Sequence, residues 1–173
     1  MRSGVIARTI VLDRLTKAWL VSHPGAVVVN IACGLDTRCY RMAGYAHWYN
    51  LDLPETMTVR EKLLPESGSI SQIAMSAMDD WGGEIGEQNV PVLIVIEGLT
   101  MYLNAKDVQQ IFAVISSRFS QATIFVETMN PAMAARLSSA ATPSEPTETE
   151  FPRRLAASWL RVRRTRLRRQ RLR

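Results

Sequence analysis

Four short stretches bring together residue types that can do chemistry: Cys33-Gly34-Leu35-Asp36, Asp52, Ser76-Ala77-Met78-Asp79 and Glu97-Gly98. Each ends a short apolar run, which places each at the carboxyl end of an expected strand. A glycine at 34 lets the chain turn sharply and lets a ligand approach bare backbone. Asp52 follows Gly34 by 18 residues. An ionised carboxylate there can accept two hydrogen bonds at once, which suits the paired hydroxyls of a ribose. The loop Ala32 to Thr37 (ACGLDT) is not G-x-G-x-x-G, and no Walker-type lysine follows it. Close approach to a pyrophosphate is therefore not provided for. A sulfonium nucleoside has no phosphate and carries positive charge, so it suits a less glycine-rich loop with carboxylates nearby.

The elements that must position these residues alternate. Residues 5–22 place Val5, Ile6, Ile10, Leu12, Leu15, Ala18, Trp19 and Val21 at mostly helical spacing, and His23-Pro24-Gly25 stops the run. Val27 to Cys33 is short, β-branched and almost continuously apolar, the pattern of a parallel strand covered on both faces. A short helix through Ala43 follows, with Asp36 or Thr37 as its cap. Strands are then expected at His47–Asp52, Ser71–Met75, Val92–Glu97 and Ala122–Glu127, and helices at Pro54–Leu64 and Ala105–Phe119. Strands separated by helices predict an α/β fold, a Rossmann-like doubly wound and mostly parallel sheet. In such a sheet ligands bind outside the carboxyl ends of the strands, where the four stretches fall.

The chain has 173 residues, 47% hydrophobic and 21% charged, which fits one globular domain. No run of about 18 apolar residues is present, and the first residues carry charges where a secretion signal needs an apolar block, so a soluble, cytoplasmic protein without a membrane partner is expected. Cys33 and Cys39 lack the second pair of ligands a zinc site requires and read as reduced thiols, with Cys33 packed as a small hydrophobe and no metal site expected. The net charge of +5 conceals an asymmetry: residues 1–150 carry 11 basic and 16 acidic residues, a net −5, whereas 151–173 carry ten arginines and no acid. Residues 1–141 are read as the ligand-binding domain. Residues 142–173 are read as a Pro/Thr/Glu-rich linker and an arginine-rich tail, expected to be disordered and to hold no further strand. That tail alone could attract nucleic acid, which the acidic body does not favour as a partner.

Several separate segments within residues 6–128 resemble the leucine carboxyl methyltransferase family and its tetracenomycin-type polyketide O-methyltransferase branch. Ala7 to Asp13 (ARTIVLD) resembles the entry helix, and Val28 to Met42 resembles the glycine loop with its G-x-D-T-R-x-x-R pattern. Tyr49 to Thr56 (YNLDLPET) resembles the second strand end, Ser76 to Trp81 (SAMDDW) the third, and Ile96 to Leu103 (IEGLTMYL) the fourth. The resemblance implies a class I fold, S-adenosyl-L-methionine as cofactor, and O-methylation of a polyketide or phenolic hydroxyl, or of a carboxylate, on a small molecule. It also implies roles in binding that cofactor: Arg8 for the methionyl carboxylate, Gly34 lining the pocket, Asp52 for the ribose, Ser76 and Ala77 for the adenine, and Glu97 for the amino end. Family members often carry Asp-Leu where this chain has Ser76-Ala77, so a hydroxyl replaces a charged acceptor.

Each of these residues has a plainer reading. Arg8 can be a solvated helix charge, Asp36 a helix cap and Glu97 a carboxylate facing water, while Trp81 and Tyr102 read as packing aromatics. No catalytic residue is assigned, since His23 and His47 are the only histidines and neither has an acidic partner in a motif. Related catalytic domains continue past the fifth strand with an antiparallel strand pair. The chain is thus expected to be incomplete near residue 130, and the alternative function is a catalytically silent fragment that keeps part of the cofactor pocket.

Overall fold

A computed structural model describes residues 2–86, 89–128 and 158–162. Helix α1 (Arg2–Ser22) leads into strand β1 (Ala26–Ile31), a single helical turn α2 (Arg38–Arg41), and strand β2 (Tyr45–Asp52). Helix α3 (Pro54–Leu63) and strand β3 (Ile70–Ala74) follow, then β4 (Val92–Ile96), α4 (Ala105–Arg118) and β5 (Ala122–Thr128). Short 3₁₀ turns at Trp81–Glu84, between β3 and β4, and Thr100–Tyr102, between β4 and α4, were not expected. The strands form one sheet in the order β3-β2-β1-β4-β5, all parallel. The order reverses between β1 and β4, and at such a switch point the two flanking loops diverge and leave a crevice. The Rossmann-like doubly wound sheet is the one the alternating pattern predicts.

One expectation fails. Ser158–Val162 forms a sixth strand, β6, antiparallel to β5. The arginines of this region hid it, because charge reads as solvated tail. Yet Trp159, Leu160 and Val162 favour extended backbone, and the outer edge of β5 offers unpaired N–H and C=O groups that an extended segment satisfies. The rest of the proposed linker and tail lies outside the described residues.

Alternation along the strands divides the interior into two layers. Val27, Val29 and Ile31 of β1 join Ile94 and Ile96 of β4 under α4, with Ile111, Ile115, Trp81 and Ile85 closing that side. Val28, Trp48, Leu93, Val95 and Phe125 face the other way and pack against Leu12, Trp19 and Leu20 of α1. The apolar face read from residues 5–22 is therefore only partly the buried one: Leu12, Thr16, Trp19 and Leu20 turn inward at helical spacing, whereas Ile6, Ile10, Leu15 and Val21 are exposed. Helical spacing defines a set of stripes, and the packing of α1 over β1 selects one. Asn30 and Asn50, on the α1 side of β1 and β2, are buried and polar, and both point toward charged groups discussed below.

Leu93→Ala, at a fully buried site on the central strand, is expected to lower unfolding stability by about 2–5 kcal/mol. Val21→Ala, on an exposed position, is expected to stay within about 0.5 kcal/mol of wild type, with urea denaturation measuring both.

Candidate functional site

The site begins where β1 ends. Ala32 and Gly34 adopt φ of 54° and 48°, so the chain reverses within three residues. A Cβ on Gly34 would meet nothing within 4 Å, which means that the backbone conformation, rather than crowding, requires glycine there. The Gly34 N–H donates to Asp52 Oδ2 at 2.8 Å, and the Leu53 N–H donates to Asp52 Oδ1 at 2.8 Å. The carboxylate is thereby held in one orientation, with a second lone pair on each oxygen still available. Gly34 and Asp52, 18 residues apart in sequence, are thus joined directly. On the far side of the turn, Arg60 Nη1 donates to the Gly34 carbonyl at 2.7 Å.

A second cluster adjoins the first through Arg38, whose side chain is 1% exposed. It donates to Asp13 Oδ1 through Nε at 2.7 Å, to Asp36 Oδ2 through Nη1, and to Glu97 Oε2 through Nη2 at 2.9 Å. One guanidinium therefore ties α1, the glycine turn and the end of β4. Asp36 also accepts the Arg38 backbone N–H at 2.9 Å and Asn30 Nδ2 at 2.9 Å, so it serves as the cap of α2, while Thr37 makes no such bond. Arg8 completes the cluster, pairing with Glu97 Oε1 at 2.9 Å and Glu127 Oε1 at 3.0 Å. Burial opposes its charge, but Glu127 and Glu97 outweigh that cost and hold the Arg8 guanidinium above the ordinary arginine value. Glu127 also accepts the Gly98 N–H at 2.9 Å, where φ is 71°. Neither Arg8 nor Glu97 is the solvated surface charge of the plainer reading.

Ser76 and Ala77 close the rim at the end of β3. The Ser76 N–H donates to Asp79 Oδ2 at 3.1 Å, and its hydroxyl accepts the Met78 N–H at 3.2 Å. The turn thus carries a carboxylate, Asp79, three residues past the position where the resemblance leads one to expect an acid. Trp81 is fully buried and donates to the Ala77 carbonyl at 3.1 Å, a packing aromatic as expected. Tyr102 is the opposite: it is 80% exposed, because the 3₁₀ turn Thr100–Tyr102 carries it away from the core.

Both cysteines are free and buried. Burial pushes the Cys33 thiol up to about 12, and it raises Cys39 too, so neither is a thiolate at neutral pH. His23 stacks on Trp19 at the end of α1, and His47 Nε2 lies 2.8 Å from Ser71 Oγ, several residues before the end of β2. Among the described residues no group of three His, Cys, Asp or Glu side chains could hold a metal ion, and no helix is long and apolar enough to cross a membrane.

The sequence reading missed four charged residues that build this site: Asp13, Arg38, Arg60 and Glu127. A signal existed for two of them. Arg38 lies within the G-x-D-T-R-x-x-R pattern, and Arg60 lies three residues after Met57, on the inward stripe of α3. Asp13 and Glu127 gain partners only through tertiary contact.

A parallel sheet reversing beside β1, with a glycine turn and acidic strand ends around the crevice, defines a Rossmann-like domain of the class I methyltransferase type. Residues 1–116 match the model of the leucine carboxyl methyltransferase family, and the chain belongs to that family. It is 38% identical over 99 residues to the tetracenomycin polyketide synthesis O-methyltransferase TcmP of Streptomyces glaucescens, covering 56% of this chain and 36% of that protein. It is 30% identical over 130 residues to the S-adenosyl-L-methionine-dependent methyltransferase dpfgK of Gibberella zeae, covering 68% of this chain and 43% of that one. The matched stretches thus span less than half of either relative. The fold is also like that of the N-methyltransferase NodS of Bradyrhizobium japonicum WM9, solved with S-adenosyl-L-homocysteine, at a TM-score of 0.51 and 12% identity over 72% of this chain and 66% of that chain.

Hydrogen bonds from Arg41 and Arg38 hold the Asp13 carboxyl below the usual carboxylate range, against the effect of its burial. A carboxylate with a depressed folded pKa contributes its stability in full above the unfolded value of about 3.9 and loses it as pH falls through the folded value. Asp13→Asn is therefore expected to melt below wild type at neutral pH, with the gap narrowing only as pH is lowered below about 3.9. Calorimetric melting across that series checks it; a gap independent of pH would contradict the assignment.

Proposed function

We propose that this chain binds S-adenosyl-L-methionine and serves O-methylation of a small molecule, a polyketide or phenolic hydroxyl or a carboxylate. The observation that carries the reading is the convergence of Gly34, Asp52, Ser76, Ala77, Arg8 and Glu97 on the carboxyl ends of β1 to β4, beside the point where strand order reverses. Family membership and the names of TcmP and dpfgK support it. TcmP is named as a polyketide O-methyltransferase, and the family name is that of a carboxyl methyltransferase.

The donor set suits this cofactor. Asp52 keeps an open lone pair on each oxygen for the two ribose hydroxyls. The open space over Gly34 leaves its backbone accessible. Arg8 and Glu97, paired at 2.9 Å, are a cation and an anion side by side. A zwitterionic amino-acid end carries the same two charges, so its carboxylate can take the Arg8 fork while its ammonium takes Glu97, and no buried charge is left unmatched. Ser76, Ala77 and Asp79 offer the adenine a hydroxyl, backbone and a carboxylate.

S-adenosyl-L-methionine, when bound, supplies an electrophilic methyl group on a sulfonium whose positive charge disappears on transfer. What the chain contributes is alignment and exclusion of water. A carboxylate acceptor needs no base and a phenol needs little help, in keeping with a rim that holds no histidine. Nothing in this arrangement favours the alternative reading as a catalytically silent fragment.

Calorimetric titration with S-adenosyl-L-homocysteine tests the reading. Wild type is expected to bind with a Kd of roughly micromolar order, and Asp52→Ala and Arg8→Ala each to weaken it at least about tenfold. Absence of binding up to millimolar ligand would overturn it.

A further inference from the structure

We propose that Arg60 is a positioning residue that holds the Gly34–Asp52 half of the nucleoside site from behind, an inference that rests on the cofactor reading above. Arg60 is fully buried on α3, one turn from Met57. Its Nε and Nη2 both donate to Glu66 Oε1, which also accepts Asn50 Nδ2 at 2.8 Å. Its remaining arm, Nη1, donates to the Gly34 carbonyl at 2.7 Å. The N–H of that same glycine donates to Asp52 Oδ2. Glu66, Arg60, Gly34 and Asp52 therefore form a continuous chain of hydrogen bonds from the helix to the ribose-binding carboxylate.

Two observations say that this chain does more than fill space. Gly34 has no side chain, and nothing lies within 4 Å of where a Cβ would sit, so no packing at position 34 itself holds the backbone there, and its carbonyl and N–H are tied by Arg60 and Asp52. Burying a guanidinium and a carboxylate is costly, and an apolar pair of similar size is often as stable. What such a pair cannot replace is a charged donor on the Gly34 carbonyl. Glu66 serves to hold Arg60: Oε1 takes all its donors, while Oε2 is buried with no hydrogen-bond partner among the described residues. Burial opposes the Arg60 charge, and the hydrogen bonds of Glu66 overcome it.

Removing Arg60 alone would strand the buried Glu66 charge, so the test uses Arg60→Met/Glu66→Gln in the full chain, with Arg60→Lys as a second variant that retains the charge. Two quantities are read: amide hydrogen exchange at Gly34 without ligand, and affinity for S-adenosyl-L-homocysteine with and without Asp52→Asn. The double variant is expected to melt cooperatively, with Gly34 exchanging roughly tenfold faster while Val29 and Ile94 keep their rates, and with Kd roughly tenfold weaker. In the Asp52→Asn background the same change is expected to shift Kd by no more than about twofold, since Arg60 acts through Asp52. Unchanged Gly34 exchange, or acceleration shared equally by Val29 and Ile94, would overturn the proposal. If the double variant does not fold, Arg60→Lys is read instead: one ammonium lacks the separate arms by which the guanidinium reaches both Glu66 and the Gly34 carbonyl. Gly34 is then expected to exchange faster than in wild type with Val29 and Ile94 unchanged, and Gly34 exchange equal to wild type would overturn the proposal. If wild type fails to bind the ligand, the cofactor reading falls, and Gly34 exchange by itself decides whether Arg60 holds the turn.

Discussion

The Arg38 guanidinium lies inside the protein with a carboxylate on each of its three nitrogens: Asp13 from α1, Asp36 from the glycine turn and Glu97 from the end of β4. Three parts of the chain that lie far apart in sequence converge on one planar cation. A guanidinium suits this position because its donors diverge in fixed directions, so each partner must arrive at its own angle. A lysine there would satisfy charge without fixing geometry. With Arg38 in place, α1 is docked across the switch point, and Arg8, five residues before Asp13, reaches Glu97 and Glu127.

Charge balance at this rim explains its composition. Asp13, Asp36, Glu97 and Glu127 are gathered around Arg8, Arg38 and Arg41, so anions slightly outnumber cations. Buried carboxylates left unpaired would be expensive, and each here has an arginine partner. A surplus of negative charge at the mouth of the crevice suits a cationic sulfonium ligand. The glycine turn provides the contrasting half of the site, built from backbone rather than charge, with Asp52 oriented by two N–H groups and Gly34 held on its other side by Arg60.

Strand positions were legible because both periodicities are strong: β1 and β4 are nearly uninterrupted apolar runs, and buried parallel strands look like that. Gly34 and Asp52 were singled out because strand ends collect ligands in this architecture, and the structure joins the two by a direct hydrogen bond. Other features were opaque for physical reasons. The inward stripe of α1 depends on the surface it meets, so Ile6 and Ile10 were as plausible for the core as Leu12 and Trp19. The exposure of Tyr102 depends on a 3₁₀ turn with no strong sequence marker. β6 was masked by arginines, which are compatible with an edge strand but do not announce one.

Local pattern, then, was enough for the order of strands and α-helices through β5, the class of sheet, the glycine turn and the family, since each is written in the spacing of neighbouring residues. Partnership was not. Apart from the local Arg38–Asp36 and Arg60–Glu66 pairs, which carboxylate meets which arginine, why Arg60 lies buried rather than solvated, and how Asp13 and Glu127 enter the site are settled by contacts between residues 25 to 119 positions apart, or by burial against a neighbouring layer. A charged side chain reads as solvent-facing until the fold brings its partner. The energy that makes its burial tolerable lies in that pair, and the pair exists only once the layers have closed.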